Sequence, residues 1–350
     1  MGERSDYYKE KENNQKRRVK DIQGKLPVYT HPFVQHCILD YQINTALAYA
    51  QDLLVFFQFL KERNPLCRDL EIAAIPESIL EGLTSQDIDE YQDFLKFNDG
   101  EYAHDNNIRG LKRKMASLRS FFRYQVDHDL LPADPTLKAS KGRRDRGKDI
   151  VRLDGDEVGR LMGVVENTAV DSERSKLISE KTNLRDIAIV TLLLNTGIRV
   201  SECAGLDVDD VNFDDNTITI VRKGGKEARL YFGEDVRNTL RDYLKHERPV
   251  FAEGIEKASD ASALFLSLKR KRMAVRSIEY MIKKFAGHTI SGKSVTPHTL
   301  RRSYGSMLYL QTGDIRLTSD VLGHKNVETT ISAYADITEE HRMRAASVKW

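Results

Sequence analysis

The sequence has no uninterrupted apolar run near the roughly 20 residues a bilayer-spanning helix needs, which predicts a chain without a membrane anchor. The polar opening MGERSDYYKEKENNQKRR lacks the apolar core of a secretory leader, and Gly2 is not followed by the serine or threonine a myristoylation signal requires. Cysteine is scarce. Cys37, Cys67 and Cys203 lie far apart with no paired spacing, which argues against a disulfide framework and for free thiols in a reducing, cytoplasmic setting. His31, His36, His104, His128, His246, His288 and His341 show no metal-ligand spacing, so no metal is expected. Clustered carboxylates of the two-metal kind are missing too, which disfavours a hydrolytic nuclease. There is no internal repeat and no low-complexity segment.

What is present is charge, unevenly spread. Of 350 residues, 31% are charged and 40% hydrophobic, enough apolar content for real cores, and the length suggests two domains. The formal net charge is only +2. Residues 109–148 nevertheless hold twelve Lys/Arg against four Asp, and residues 269–302 hold ten Lys/Arg against Glu279. Basic stretches in a nearly neutral chain suggest an anionic polymer bound along defined surfaces.

In chain order, residues 1–25 read as a polar, aperiodic, flexible tail. A helical domain follows over 26–135. Asn44-Thr45 begins an apolar stripe of Leu47, Leu53, Phe56, Phe57 and Leu60, ended by Pro65, and Thr84-Ser85 starts a second helix. A third, near Ile108–Val126, turns Leu111, Met115, Leu118, Phe121 and Phe122 inward, where they are expected to form core rather than stack on bases. It shows Arg109, Lys112, Arg113, Lys114, Arg119 and Arg123 on its other face. Residues 136–150 compose an extendable basic linker with Lys141, Arg143 and Arg144. A second domain spans 151–340, with a tail at 341–350. In it Asp154 caps a helix, Gly197 ends another in a left-handed C-cap, and Thr217–Val221 with Ala228–Phe232 form a hairpin bearing Lys226 at its tip. A basic helix is expected from Lys269 to Phe285, carrying Lys269, Arg270, Lys271, Arg272 and Arg276.

The chemistry concentrates at the C-terminal end. Thr296-Pro297 has the form of a helix start, and His298 and Arg301 then share one face of its first turn. An imidazole donor beside a guanidinium fork suits a phosphate, which also gains from a helix N-terminus. Arg199 and Glu202 form a second i,i+3 pair. Leu-Gly-His324 and the tyrosine Tyr334 follow.

The order Thr-Gly-Ile-Arg199-Val-Ser-Glu202, hairpin Lys226, His298-x-x-Arg301, Leu-Gly-His324 and Tyr334 resembles the tyrosine recombinase (phage integrase) family, closely its two-domain Xer-like and simple integrase members, over residues 30–340. The resemblance implies a mainly α fold with a small antiparallel β-sheet. An N-terminal helical, SAM-like core-binding domain and a C-terminal catalytic domain would form a C-shaped clamp on duplex DNA. It implies that Arg199 and Arg301 grip the scissile phosphate, that His298 and His324 support the transition state, and that Glu202 steadies the arginine and histidine. Lys226, with Lys223 competing for the role, would protonate the departing 5′ oxygen, and Tyr334 would become 3′-phosphotyrosyl. The resemblance assigns Arg302 no role, and a contact to the DNA backbone is the expectation for it. The implied partners are a double-stranded recombination site, a homotetramer assembled on two such sites, and accessory or directionality proteins. No cofactor is implied, because the phosphotyrosyl linkage conserves the bond energy for rejoining. A type IB topoisomerase shares most of these groups, and a non-catalytic DNA-binding protein could share the fold. The chain departs from the family in one respect: His324 and Tyr334 are ten positions apart where nine is usual. A helix advances about 100° per residue, so a loop or bulge is expected at Ile331–Ala333.

Overall fold

The computed structural model describes residues 6–97, 108–141, 150–167, 173–222, 225–324 and 326–333. Arg143, Arg144, Lys223, Tyr334 and the tail at 341–350 lie outside them. The chain divides into two compact units, one within Tyr8–Lys148 and the other within Asp149–Trp350 together with Met1–Tyr7.

The first unit is helical. α1 (Asp6–Gln23), α2 (His31–Asp40), α3 (Ile43–Arg63), the short α4 (Ser78–Glu81), α5 (Ser85–Phe97) and α6 (Ile108–Asp127) follow one another. Where the composition reads as an aperiodic tail, α1 is regular. Lys16 pairs with Glu12 one turn away at 2.8 Å, and Val19 is fully buried in the core of this unit. Val19 with Ile22, packed partly beside it, is too small an apolar signal to stand out among so many charges. α3 is long and apolar enough to cross a membrane by composition. Its Phe56, Phe57 and Leu60 are instead packed in the core, Phe56 meeting Tyr91 edge to face at 5.2 Å between centroids. Phe121 and Phe122 of α6 are also wholly buried, so these rings are core and not base platforms.

Residues 136–141 are not an extended linker. The Thr136 amide and hydroxyl both donate to Asp134 Oδ1 (2.7 and 2.6 Å), the Ser140 amide donates to Asp89 Oδ1 (2.8 Å), and Gln92 Nε2 donates to the Ser140 carbonyl (3.0 Å). The two bonds at Ser140 fix the segment against α5.

The second unit starts with α7 (Gly155–Glu166), whose cap is a reciprocal box. Asp154 Oδ1 accepts from the Glu157 amide at 2.8 Å while Glu157 Oε2 accepts from the Asp154 amide at 2.9 Å. α8 (Glu173–Thr196) begins well before Leu184, the first residue whose periodicity is plain in the sequence. The one-turn α9 (Val200–Cys203) leads to a three-stranded antiparallel sheet in the order β1 (Val211–Asn212), β2 (Thr217–Val221), β3 (Glu227–Tyr231), with Ile218 opposite Leu230. The expected second strand at Ala228–Phe232 is shifted by one residue, and β1 is too short to read from sequence. α10 (Glu234–Asp242) runs through a π-helical turn at Tyr243–Glu247 into α11 (Arg248–Ala252). α12 (Ala258–Ala261), α13 (Val275–Gly287), α14 (Pro297–Thr312), α15 (Ile315–Leu322) and α16 (Val327–Ala333) complete the unit. Its core joins Leu192 and Leu193 of α8, Ile218 and Ile220 of β2, Ile278 and Ile282 of α13, and Leu300 of α14, all buried. Each such side chain contributes roughly 1.5–3 kcal/mol of burial.

The basic helix differs from the expectation. Helix α13 starts only at Val275, and Lys269, Arg270 and Lys271 lie exposed in the turn before it, where Leu266 and Arg272 form a bridge. Helix α16 is regular through Ala333, so the bulge expected at Ile331–Ala333 is not there.

Candidate active site

Three helix ends converge. α8 terminates at Thr196, and Gly197 turns the chain with φ +61°. Only a glycine fits. A Cβ there would lie 2.5 Å from Tyr304 Cδ1 and 2.9 Å from Leu322 Cδ2, and the left-handed φ alone disfavours other residues. The turn places Arg199 at the start of α9. Glu202, buried below it, accepts from Arg199 Nη1 at 2.8 Å and from the Arg199 amide at 2.9 Å. The expected pairing of Arg199 with Glu202 is present.

α14 begins at a cap formed by Thr296, whose hydroxyl accepts from the Thr299 amide at 3.3 Å, with Pro297 at the first helical position. This start exposes His298 and directs Arg301 inward. Arg301 is buried, and its two terminal nitrogens donate to the carbonyls of Gly197 and Leu322. Arg199 Nη2 donates to the next carbonyl, that of Gly323, at 3.0 Å.

The carbonyls at 320–323 belong to the C-terminal turn of α15, the negative end of its dipole. Gly323 closes that turn with φ +62°, and its amide bonds the Asp320 carbonyl at 3.0 Å. Arg222, at the end of β2, donates to the remaining two carbonyls, those of Asp320 (3.2 Å) and Val321 (2.9 Å). Three guanidinium groups thus hold four successive carbonyls directly before His324. His324 in turn has Nδ1 2.7 Å from the hydroxyl of Thr330, which is buried on α16.

The electrostatics follow from this crowding. Burial, then Arg301, Arg199, His298 and Arg222, pushes His324 down to about 4. Partial desolvation at the rim of the cluster, then Arg302, Arg301 and Arg199, lowers His298 as well. Both imidazoles are therefore neutral near pH 7, each with one N–H to donate. Three arginines against Glu202 leave the cluster cationic, a setting made for an anion.

The other sequence-identified groups fall in three places. Lys226 is exposed just before β3, and its ammonium makes no hydrogen bond or ion pair among the described residues. Tyr334 and Lys223 lie outside the described residues. On α6, Arg109, Lys112 and Arg123 are exposed and Arg119 partly so. Lys112, Arg119 and Arg123, with Lys141, line a cleft of about 500 Å³.

Three members of the expected DNA-facing set behave otherwise. Lys114 is buried. Arg113 Nη1 pairs with the buried carboxylate of Asp52 at 2.6 Å. Arg272 is buried, bonding the Leu206 carbonyl at 2.8 Å, the Ser259 carbonyl at 2.9 Å, and the Asp207 carboxylate. Its partners lie in distant parts of the sequence, and a Lys-Arg-Lys-Arg run gives no sign that its last member turns inward. Arg276 is exposed on α13 and Arg302 half-buried on α14. Sequence reasoning gave no role to Arg222, which it reads only as part of the hairpin turn, or to Thr330, which lies in the run leading to Tyr334.

Residues 151–341 match the profile of the phage integrase family, so the second unit carries the family's defining region. The chain belongs to the phage integrase family, and it is a site-specific tyrosine recombinase, an enzyme of DNA recombination; neither the topoisomerase nor the non-catalytic reading is favoured. It is 32% identical over 296 residues to the tyrosine recombinase XerC of Caldanaerobacter subterraneus subsp. tengcongensis, covering 82% of this chain and 76% of that protein. XerC of Leptospira interrogans is 27% identical over 301 residues, covering 86% and 85%. In fold, the chain resembles the XerH site-specific recombinase bound to a palindromic difH substrate, with a TM-score of 0.59 and 21% identity over 87% of this chain and 79% of that one. It also resembles the Tn1549 transposon integrase in complex with circular intermediate DNA, with a TM-score of 0.58 and 18% identity over 81% and 94%.

Proposed function

We propose that the cluster of Arg199, Glu202, His298, Arg301 and His324 receives one scissile phosphate of a duplex recombination site and transfers it to Tyr334. The observation that carries this is the convergence of Arg199, Arg301 and His324 on the single turn at 322–324, although they come from α9, α14 and the segment after α15.

A phosphodiester is anionic, and charge builds on its non-bridging oxygens as the tyrosine oxygen attacks. Fixed donors held in place before the reaction stabilise that charge without reorganising. Arg199 and Arg301 supply the planar forks. Neutral His298 and His324 supply N–H donors, and an arriving phosphate offsets the guanidinium charge that holds their protonation down. Glu202 orients Arg199. Attack by the phenolate forms the P–O bond to Tyr334 and breaks the bond to the 5′ oxygen, which takes a proton from Lys226 or Lys223. Reversal with a new 5′ hydroxyl rejoins the strand, so no nucleotide cofactor enters.

Around this centre the helical unit acts as a core-binding domain, using Arg109, Lys112, Arg119, Arg123 and Lys141, and the second unit is the catalytic domain. Contacts to phosphate of this kind make affinity fall steeply with salt. Four copies on two sites, a cytoplasmic location and accessory proteins that set direction complete the proposal, supported by the family relationship.

The test is a suicide substrate whose nicked strand loses its 5′ hydroxyl on cleavage. The wild type should accumulate a covalent protein–DNA adduct that maps to Tyr334, and Tyr334→Phe should form none. An adduct on another residue, or persistence in Tyr334→Phe, would refute the assignment.

A further inference from the structure

We propose that Arg222 is a positioning residue for strand cleavage: it clamps the β2–β3 hairpin to the turn before His324, so that Lys226 and His324 reach the phosphate in one fixed register. This rests on the reading of the site given above.

The backbone of Arg222 closes the hairpin. Its amide donates to the Lys226 carbonyl at 2.8 Å, and its own carbonyl accepts from the Gly225 amide at 3.0 Å. Its side chain leaves the hairpin altogether and spans to the end of α15, where Nη1 and Nη2 take the Asp320 and Val321 carbonyls. One residue therefore ties the lysine-bearing turn to the carbonyl turn that Arg199 and Arg301 also grip. Gly323 is shaped for it. A Cβ on Gly323 would fall on the Arg222 guanidinium, so the absence of a side chain there gives the clamp its seat.

Stability alone does not account for this arrangement. The Arg222 Nε–H is buried with no acceptor among the described residues, and burial lowers the affinity of this guanidinium for its proton, with Glu202 and Asp320 opposing and Arg199 adding to the effect. A residue selected only to hold α15 would be expected to satisfy all of its donors. A charge fixed beside His324 and a rigid link to the hairpin are what the site gains. His324 is faced by Arg301, Arg199, His298 and Arg222, with the Thr330 hydroxyl on Nδ1.

The test compares wild type, Arg222→Gln and Arg222→Lys in the full chain. The readouts are single-turnover trapping on the suicide substrate, DNA affinity across salt, and the titration of His324 by NMR without DNA. A displacement of the order of 1 Å costs about 100-fold in rate, so Arg222→Gln should trap about 100-fold more slowly at saturating DNA. Its affinity and salt slope should match the wild type, because no phosphate contact is lost. The His324 titration should move up from about 4, since one of the cations facing it is gone. Arg222→Lys keeps the charge but not the fork, and should trap about tenfold more slowly with the His324 titration unmoved. Trapping at the wild-type rate in either variant, or an unmoved His324 in Arg222→Gln, overturns the proposal. If Arg222→Gln does not fold, the Arg222→Lys rate decides. If the wild type itself forms no adduct, the proposed reaction fails, and the His324 titration alone decides whether the clamp exists.

Discussion

Arg301→Ala should lower the rate of adduct formation by about 1,000-fold, the upper range for loss of one preorganised donor to a developing oxyanion. The same change should weaken the fold. Arg301 is buried, and its removal strips the Gly197 and Leu322 carbonyls of their donors at once. A buried polar group left unpaired costs about 1–3 kcal/mol, so with two carbonyls affected denaturant unfolding should show a loss of about 2–6 kcal/mol with an unchanged m value. Arg301→Lys separates the two roles. A single ammonium can satisfy one carbonyl but cannot span both and still offer a fork to phosphate, so more stability than rate should return. Equal recovery of both would mean that Arg301 serves the fold alone.

The second large effect is expected at Gly197. Replacement by alanine forces an L side chain into a left-handed backbone, costing about 1–2 kcal/mol. It also presses a methyl group against Tyr304 and Leu322, and overpacking of this kind costs a further 1–3 kcal/mol or so. Urea unfolding should register the sum. Adduct formation should slow as well, because the Gly197 carbonyl is one of the two acceptors that aim Arg301. Trimming the ring in Gly197→Ala/Tyr304→Ala should return the part of the steric cost owed to Tyr304 and leave the Leu322 contact and the backbone part, a positive coupling in a double-mutant cycle. Additive effects would show that the contact with Tyr304 does not set the cost.

Much of this site was legible because its parts are local. Thr296-Pro297 is a cap by its own chemistry, Gly197 at the end of a long apolar stretch suits a left-handed C-cap, and Arg199 with Glu202 makes a pair one helical turn apart. Each of these can be read from a few neighbouring residues. Arg222 could not be read, because an arginine ending a strand is ordinarily solvated, and only the fold brings the carbonyls of Asp320 and Val321 to it. Arg272 misled for the converse reason. It sits in a basic run, yet Asp207 and the Leu206 carbonyl, more than sixty positions away, draw it into the interior. Lys114 lies one step off the exposed stripe of α6, and a stripe drawn by charge alone does not resolve that step. Helix α1 fully buries only Val19, with Ile22 packed partly beside it, and so leaves little trace in the pattern of residues 1–25.

The measurement that bears most directly on the site is the cleavage rate on a substrate whose scissile phosphate is replaced by an uncharged methylphosphonate. If the guanidinium groups act by offsetting phosphate charge, wild type should outpace Arg199→Ala by about 100- to 1,000-fold on the ordinary linkage, and the gap should shrink to within about tenfold on the neutral one. A gap of the same size on both linkages would contradict the assignment of this cluster as the seat of the reacting phosphate.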